Sequence, residues 1–184
     1  MLMRSIFILG LPVVVFLGGG AIMSHLSGRD RVIERLRQLP DAADRRPLNS
    51  RLHYDAAAVQ RHWGALDPST LAAEQRSLEL DLIFPLLYGA ALASSLLLAW
   101  AALGRPFNPA WVIAPVAITI LSDWTENLVL LSQSRLFALI PSTPPDSSWI
   151  AVATTATTLK LAFFTTSYLG IVCLFALMFL RRAR

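Results

Sequence analysis

The chain has 184 residues, 55% of them hydrophobic and 15% charged, and its mean hydropathy is +0.55. That balance excludes an ordinary soluble domain and places the chain with integral membrane proteins, as a single membrane domain. The net charge of +4 sits in flanks and one hydrophilic stretch, with no Lys/Arg stripe interleaved with aromatics, so nucleic acid is excluded as a partner.

Residues 5–23 form the first apolar run, long enough to cross a hydrocarbon core of roughly 30 Å. Arg4 precedes it, but no clear A-x-A cleavage site follows Gly18, Gly19, Gly20 and Ala21. An uncleaved anchor is therefore expected rather than a signal peptide. Pro12 and the glycines predict a kinked or closely packed helix.

Residues 24–78 are the only long hydrophilic region and read as a partly helical extramembrane loop. Within it, 29–38 has the spacing of a short amphipathic helix presenting Val32, Ile33 and Leu36, ended by Pro40. A polar stretch then reads as loop. Asp55 is placed to cap a helix that stops near Gly64. Asp67 and Pro68 are placed as N-cap and N1 proline of another, running through 71–80 into the membrane. His53 and His62 are not spaced to share a helix face for a metal, and are expected at the surface or in loops. No metal site and no cofactor is implied. Tyr54, His62 and Trp63 are expected to pack this region onto the bundle.

The second span is 80–103, with Asp81 at its start, Pro85 and Gly89 early in it, and Trp100 at the far interface. A turn through Gly104 and Pro106 leads to the third span, 111–131. Residues 133–148, with Pro141, Pro144 and Pro145, are expected to be irregular loop. The fourth span, 149–180, is longer than a crossing requires and ends in a basic run. The lone Cys173 within it reads as a small packing residue. The fold class is thus all-α: an integral membrane four-helix bundle with both termini on one side. Raw arginine counts favour termini outside. The basic run directly after the last span and the short Arg105 turn argue for cytoplasmic termini, the orientation preferred here.

Polar residues recur at similar depths on three spans. At ~1.5 Å rise per residue, Tyr88, Asp123 and Tyr168 lie ~18 Å from the terminal side, and Asp81 and Lys160 ~28–30 Å from it. Glu126 and Asn127 fall between. Asp81 and Tyr88 share a face of the second span; Thr119, Asp123, Glu126 and Asn127 share one of the third; Thr157, Lys160, Phe164, Ser167 and Tyr168 share one of the fourth. Charges in lipid cost about 2.5–3.5 kcal/mol each, so these faces are expected to turn inward together. Three carboxylates against Lys160 leave two negatives uncompensated. A neutral acid, with Asp123 the candidate, an external cation or a basic partner group is needed to balance them. Lys160, near the surface, has a second course open to it, outward to headgroups.

The run from Asp81 through Phe84, Pro85, Tyr88 and Gly89, followed a span later by Asp123, Trp124, Thr125, Glu126 and Asn127, resembles a pattern in small bacterial four-span membrane proteins of unassigned function. The resemblance covers residues 54–131. It implies a bacterial inner membrane but no activity, and CxxC, HExxH and GxSxG signatures are all absent. No catalytic residue is assigned.

Three functions follow from this pattern. The first is a polar intramembrane site for a lipid-like or amphipathic small molecule, built from Asp81, Tyr88, Asp123, Glu126, Asn127, Lys160 and Tyr168. There Asp123 and Glu126 would hold a polar head or act as an acid/base pair. The second is an accessory subunit that docks a membrane protein partner or anionic lipid headgroups through 24–78. The third is proton or cation handling.

Overall fold

The computed structural model describes residues 2–41 and 45–182. Residues 42–44 of the expected polar loop, and Ala183 and Arg184 of the terminal basic run, lie outside the described residues. The fold is all-α, with no strand among the described residues. Helices α1 (Leu2–Ser27), α2 (Arg29–Arg37), α3 (Ala56–Gly64), α4 (Pro68–Leu80), α5 (Phe84–Ala102), α6 (Ala110–Leu139) and α7 (Ser147–Arg182) follow in order, with a 3₁₀ turn at Leu48–Ser50. Four stretches are long and apolar enough to cross a membrane: Gly10–Ser27, Pro68–Ala102, Ala110–Leu139 and Ser147–Arg181.

Local signals start the short helices. Asp55 accepts from the Ala58 amide at 2.7 Å, closing the first turn of α3. Asp67 accepts from the Ser69 and Thr70 amides at 2.9 and 3.0 Å, and Pro68 fills the first position of α4. The Thr70 hydroxyl and then that of Ser69 add further bonds, and together they hold the Asp67 carboxyl well below the usual carboxylate range. Gly28 turns the chain between α1 and α2 at φ +73°, a conformation costly for residues with a side chain.

Two apolar cores result. One joins the 24–78 region to the ends of α6 and α7: Val32, Leu36, Val59, Trp63, Leu130 and Ile150 are all buried in it. The other fills the bundle between α5, α6 and α7, around Leu92, Leu96, Val116 and Ile171. Helix α6 packs most closely on α7, while α1 leans chiefly on α5 and α4. Gly89 permits the close approach of α5 to α6, because a Cβ there would meet Ile120 Cγ1 at 2.9 Å.

Three expectations are corrected. Helix α6 does not end at residue 131 but runs two turns further, to Leu139. Its extra turns bury Gln133, Ser134 and Phe137, with the Phe137 ring 5.7 Å from that of Trp63. That packing outweighs the loop character suggested by the prolines, which instead end the helix at Pro141. The second stretch is interrupted: residues 81–83 form a turn, and α5 begins at Phe84. His62 is neither at the surface nor in a loop. It is fully buried in α3 with its Nε2 3.3 Å from Glu74 Oε1, because α3 lays that face on α4.

Candidate functional site

The site begins at Pro85. Proline has no N–H, so the carbonyl of Asp81, four residues back, loses its helical donor. The Leu86 amide bonds to Ile83 O rather than to Leu82 O, which frees a second carbonyl. Both are recovered from α6. Asn127 Nδ2 donates to Asp81 O at 3.2 Å, and Trp124 Nε1 donates to Leu82 O at 2.8 Å. A buried backbone carbonyl without a partner would cost about 1–3 kcal/mol, which explains why these two side chains face the break.

The same face of α6 carries the acids. Thr119, Asp123, Glu126 and Asn127 are all buried. Asp123 Oδ2 accepts from the Tyr88 hydroxyl at 2.7 Å, and Oδ1 accepts from Lys160 Nζ at 3.1 Å and Asn127 Nδ2 at 3.2 Å. Lys160 Nζ also donates to Glu126 Oε2. Glu126 Oε1 accepts from the Tyr54 hydroxyl at 3.4 Å, and that hydroxyl lies 3.2 Å from Thr157 Oγ1. The Tyr54 amide is anchored in turn to Thr154 Oγ1 at 3.1 Å. Burial pushes the Tyr54 hydroxyl far above its ordinary range, and the neighbouring Glu126 adds to this.

Of the two courses open to Lys160, the structure shows the inward one. Its ammonium lies between two carboxylates, where the low dielectric makes their attraction larger than any exposed partner could offer. Both oxygens of Asp123 are engaged, Oδ2 with the Tyr88 hydroxyl and Oδ1 with Lys160 and Asn127.

Asp81 sits apart from this pair and meets the 24–78 region. Its Oδ2 lies 3.5 Å from Asn49 Nδ2 and 3.9 Å from Arg29, whose guanidinium donates to Asn49 Oδ1 at 2.7 Å. Arg29 is thus a basic partner group for Asp81, one of the three balances the charge count left open. Tyr168 is half-buried against the apolar core of the bundle and makes no hydrogen bond to the polar group. The structure brings Tyr88, Asp123, Glu126, Asn127 and Lys160 together, sets Asp81 one contact away and leaves Tyr168 outside.

Sequence reading missed Arg29, Asn49 and Trp124, and gave Tyr54 only a packing role. For Trp124 a signal existed: an indole one helical turn before Asn127, opposite a proline that frees two carbonyls. Arg29 and Asn49 carried none.

An aromatic cluster flanks the pair. The Tyr88 ring meets Phe84 at 5.3 Å, Phe164 at 5.8 Å and Phe16 of α1 at 6.0 Å. The Lys160 and Asp123 side chains keep 13% and 11% of their surface exposed, whereas Glu126 keeps none. The described cavities lie elsewhere. A groove of about 450 Å³ runs between α6 and α7 beside Ser122 and Thr155, and one of about 240 Å³ lies beside Ser167. No group of residues suited to a metal ion occurs among the described residues.

Comparison of the chain with protein-family models, with curated proteins and with solved structures finds no match.

Proposed function

We propose that the chain is a multi-pass membrane protein that binds a lipid-like or amphipathic small molecule, with its polar head at the Asp123–Lys160 pair. The observation that carries this reading is the exposure left on that pair, beside the rings of Phe16, Phe84 and Phe164, within an otherwise buried polar layer. Phe16 belongs to α1, the least enclosed of the membrane-length helices, and is itself 41% exposed. A ligand enters sideways from the bilayer by displacing that ring, with its chain along α1 and α7. In this reading the protein belongs to the small bacterial four-span type and lies in the inner membrane with cytoplasmic termini. Residues 24–78 then form a folded cap outside the bilayer, over the polar layer.

A second reading is an accessory subunit that docks a membrane protein partner through 24–78. It draws on Leu52, 72% exposed between Arg51 and His53. The other large apolar residues of that region, Val32, Leu36 and Trp63 among them, are consumed by the chain's own core, which ranks it second.

Native mass spectrometry of the protein released from its own membrane, beside Asp123→Asn, tests the first reading. A discrete small-molecule adduct on the wild type that the variant loses is expected. A bare protein overturns the ligand reading, and a co-purified polypeptide turns attention to the second.

A further inference from the structure

Carboxyl groups outnumber cations in the polar group. Asp81, Asp123 and Glu126 provide three carboxylates, and Lys160 and Arg29 provide two cations. Arg29 also lines a small space with Glu74, but that carboxylate has His62 against it.

An unused acceptor lies in the middle of the group. Asn127 is fully buried, and its Oδ1 has no hydrogen-bond partner. The amide is not free to turn over, because its Nδ2 serves two acceptors, Asp81 O and Asp123 Oδ1. Reversal would set oxygen against oxygen at both. The adjoining surface is aromatic, and the faces of such rings attract cations. Carboxyl groups in excess of cations, an unanswered acceptor and adjoining aromatic rings all call for a positively charged hydrogen-bond donor.

We infer that the polar group takes the protonated amine head of an amphipathic molecule. The ammonium sits against Asp123 and Asn127, and the chain runs along the rings towards Phe16. This names the ligand class of the site proposed above and rests on that reading. An anionic head meets carboxyl groups that already outnumber the cations, and an alcohol brings no cation to them.

The test uses the full chain in a non-ionic detergent, with four probes of one chain length: dodecylamine, dodecyltrimethylammonium, dodecanol and dodecanoate. Thermal unfolding and native mass spectrometry are the readouts. Dodecylamine is expected to raise the unfolding temperature saturably and to remain as a single adduct. The trimethylammonium probe, which donates no hydrogen bond, binds more weakly, and the other two do not bind. Asp123→Asn lowers the amine affinity by about tenfold, and Lys160→Met, which removes the resident cation, raises it by a similar factor. The order of the four probes on the wild type keeps the test intact if either variant does not fold. Saturable binding of dodecanol or dodecanoate in preference to the amine overturns the amine assignment and leaves an amphiphile site standing. Weaker amine binding by Lys160→Met that keeps the wild-type helicity overturns the assignment too. No saturable adduct with any probe overturns both the assignment and the site.

Discussion

Asn127 Nδ2 lies 3.2 Å from the carbonyl oxygen of Asp81, the oxygen that Pro85 deprives of its helical donor. Trp124 does the same for Leu82 one residue on. The two stretches that stand out in the sequence, around Pro85 and around Asp123, are thus one device: the first breaks a helix and the second repairs the break.

That pairing predicts coupling. Trp124→Phe removes one N–H and keeps the ring, and is expected to cost about 1–2 kcal/mol of stability. Pro85→Ala restores a backbone donor and lets the helix close. In that background Trp124→Phe should cost less, with a coupling of about 0.5–1.5 kcal/mol. Equal costs in both backgrounds, measured by unfolding in detergent, would refute the repair role.

The Lys160 ammonium bridges Asp123 and Glu126 and offsets their mutual repulsion. Lys160→Met leaves two buried carboxylates facing each other and should destabilise the bundle by about 3–5 kcal/mol. Adding Glu126→Gln removes one of them and should recover part of that loss. A double variant no more stable than the single one would show that the ion pair does not set the cost.

Phe137 and Trp63 fasten the 24–78 region to the far end of α6. Phe137→Ala is expected to cost about 3 kcal/mol and to loosen α3 before the bundle. Trypsin should then cut faster at Arg45 and Arg51, while the four long helices keep their helicity. An unchanged cutting rate would mean that α3 is held by other contacts.

Tyr54 links pH to stability. Its hydroxyl is neutral and buried in the folded chain, with a folded-state pKa raised above the ordinary value of 10.0. The stability this contributes is fully present below pH 10 and is lost as pH rises above it. The wild type should therefore lose unfolding temperature above pH 10 more steeply than Tyr54→Phe. Parallel curves would show that Tyr54 ionises in the fold as freely as in water.

Much of the architecture was legible in the chain alone, for local reasons. Apolar length marked the four long stretches, and Asp55 and Asp67 marked two helix starts through bonds to amides within three residues. Helical periodicity put Thr119, Asp123, Glu126 and Asn127 on one face, and the cost of charge in an apolar medium turned that face inward.

Tertiary structure alone decided the partners. Lys160 had two courses open, outward to headgroups or inward to carboxylates, and only the packing of α7 on α6 makes the second shorter. Its bond to Glu126 spans 34 residues of chain, and Tyr54 reaches Thr154 across 100. His62 looked solvated until α3 was laid on α4 and gave it Glu74. Arg29 became the counterion of Asp81 only when the turn at Gly28 brought α2 back over α4. Burial, caps and periodicity depend on near neighbours and can be read along a sequence. The identity of a distant counterion depends on which helix faces which, and that is set by the summed packing of the whole chain.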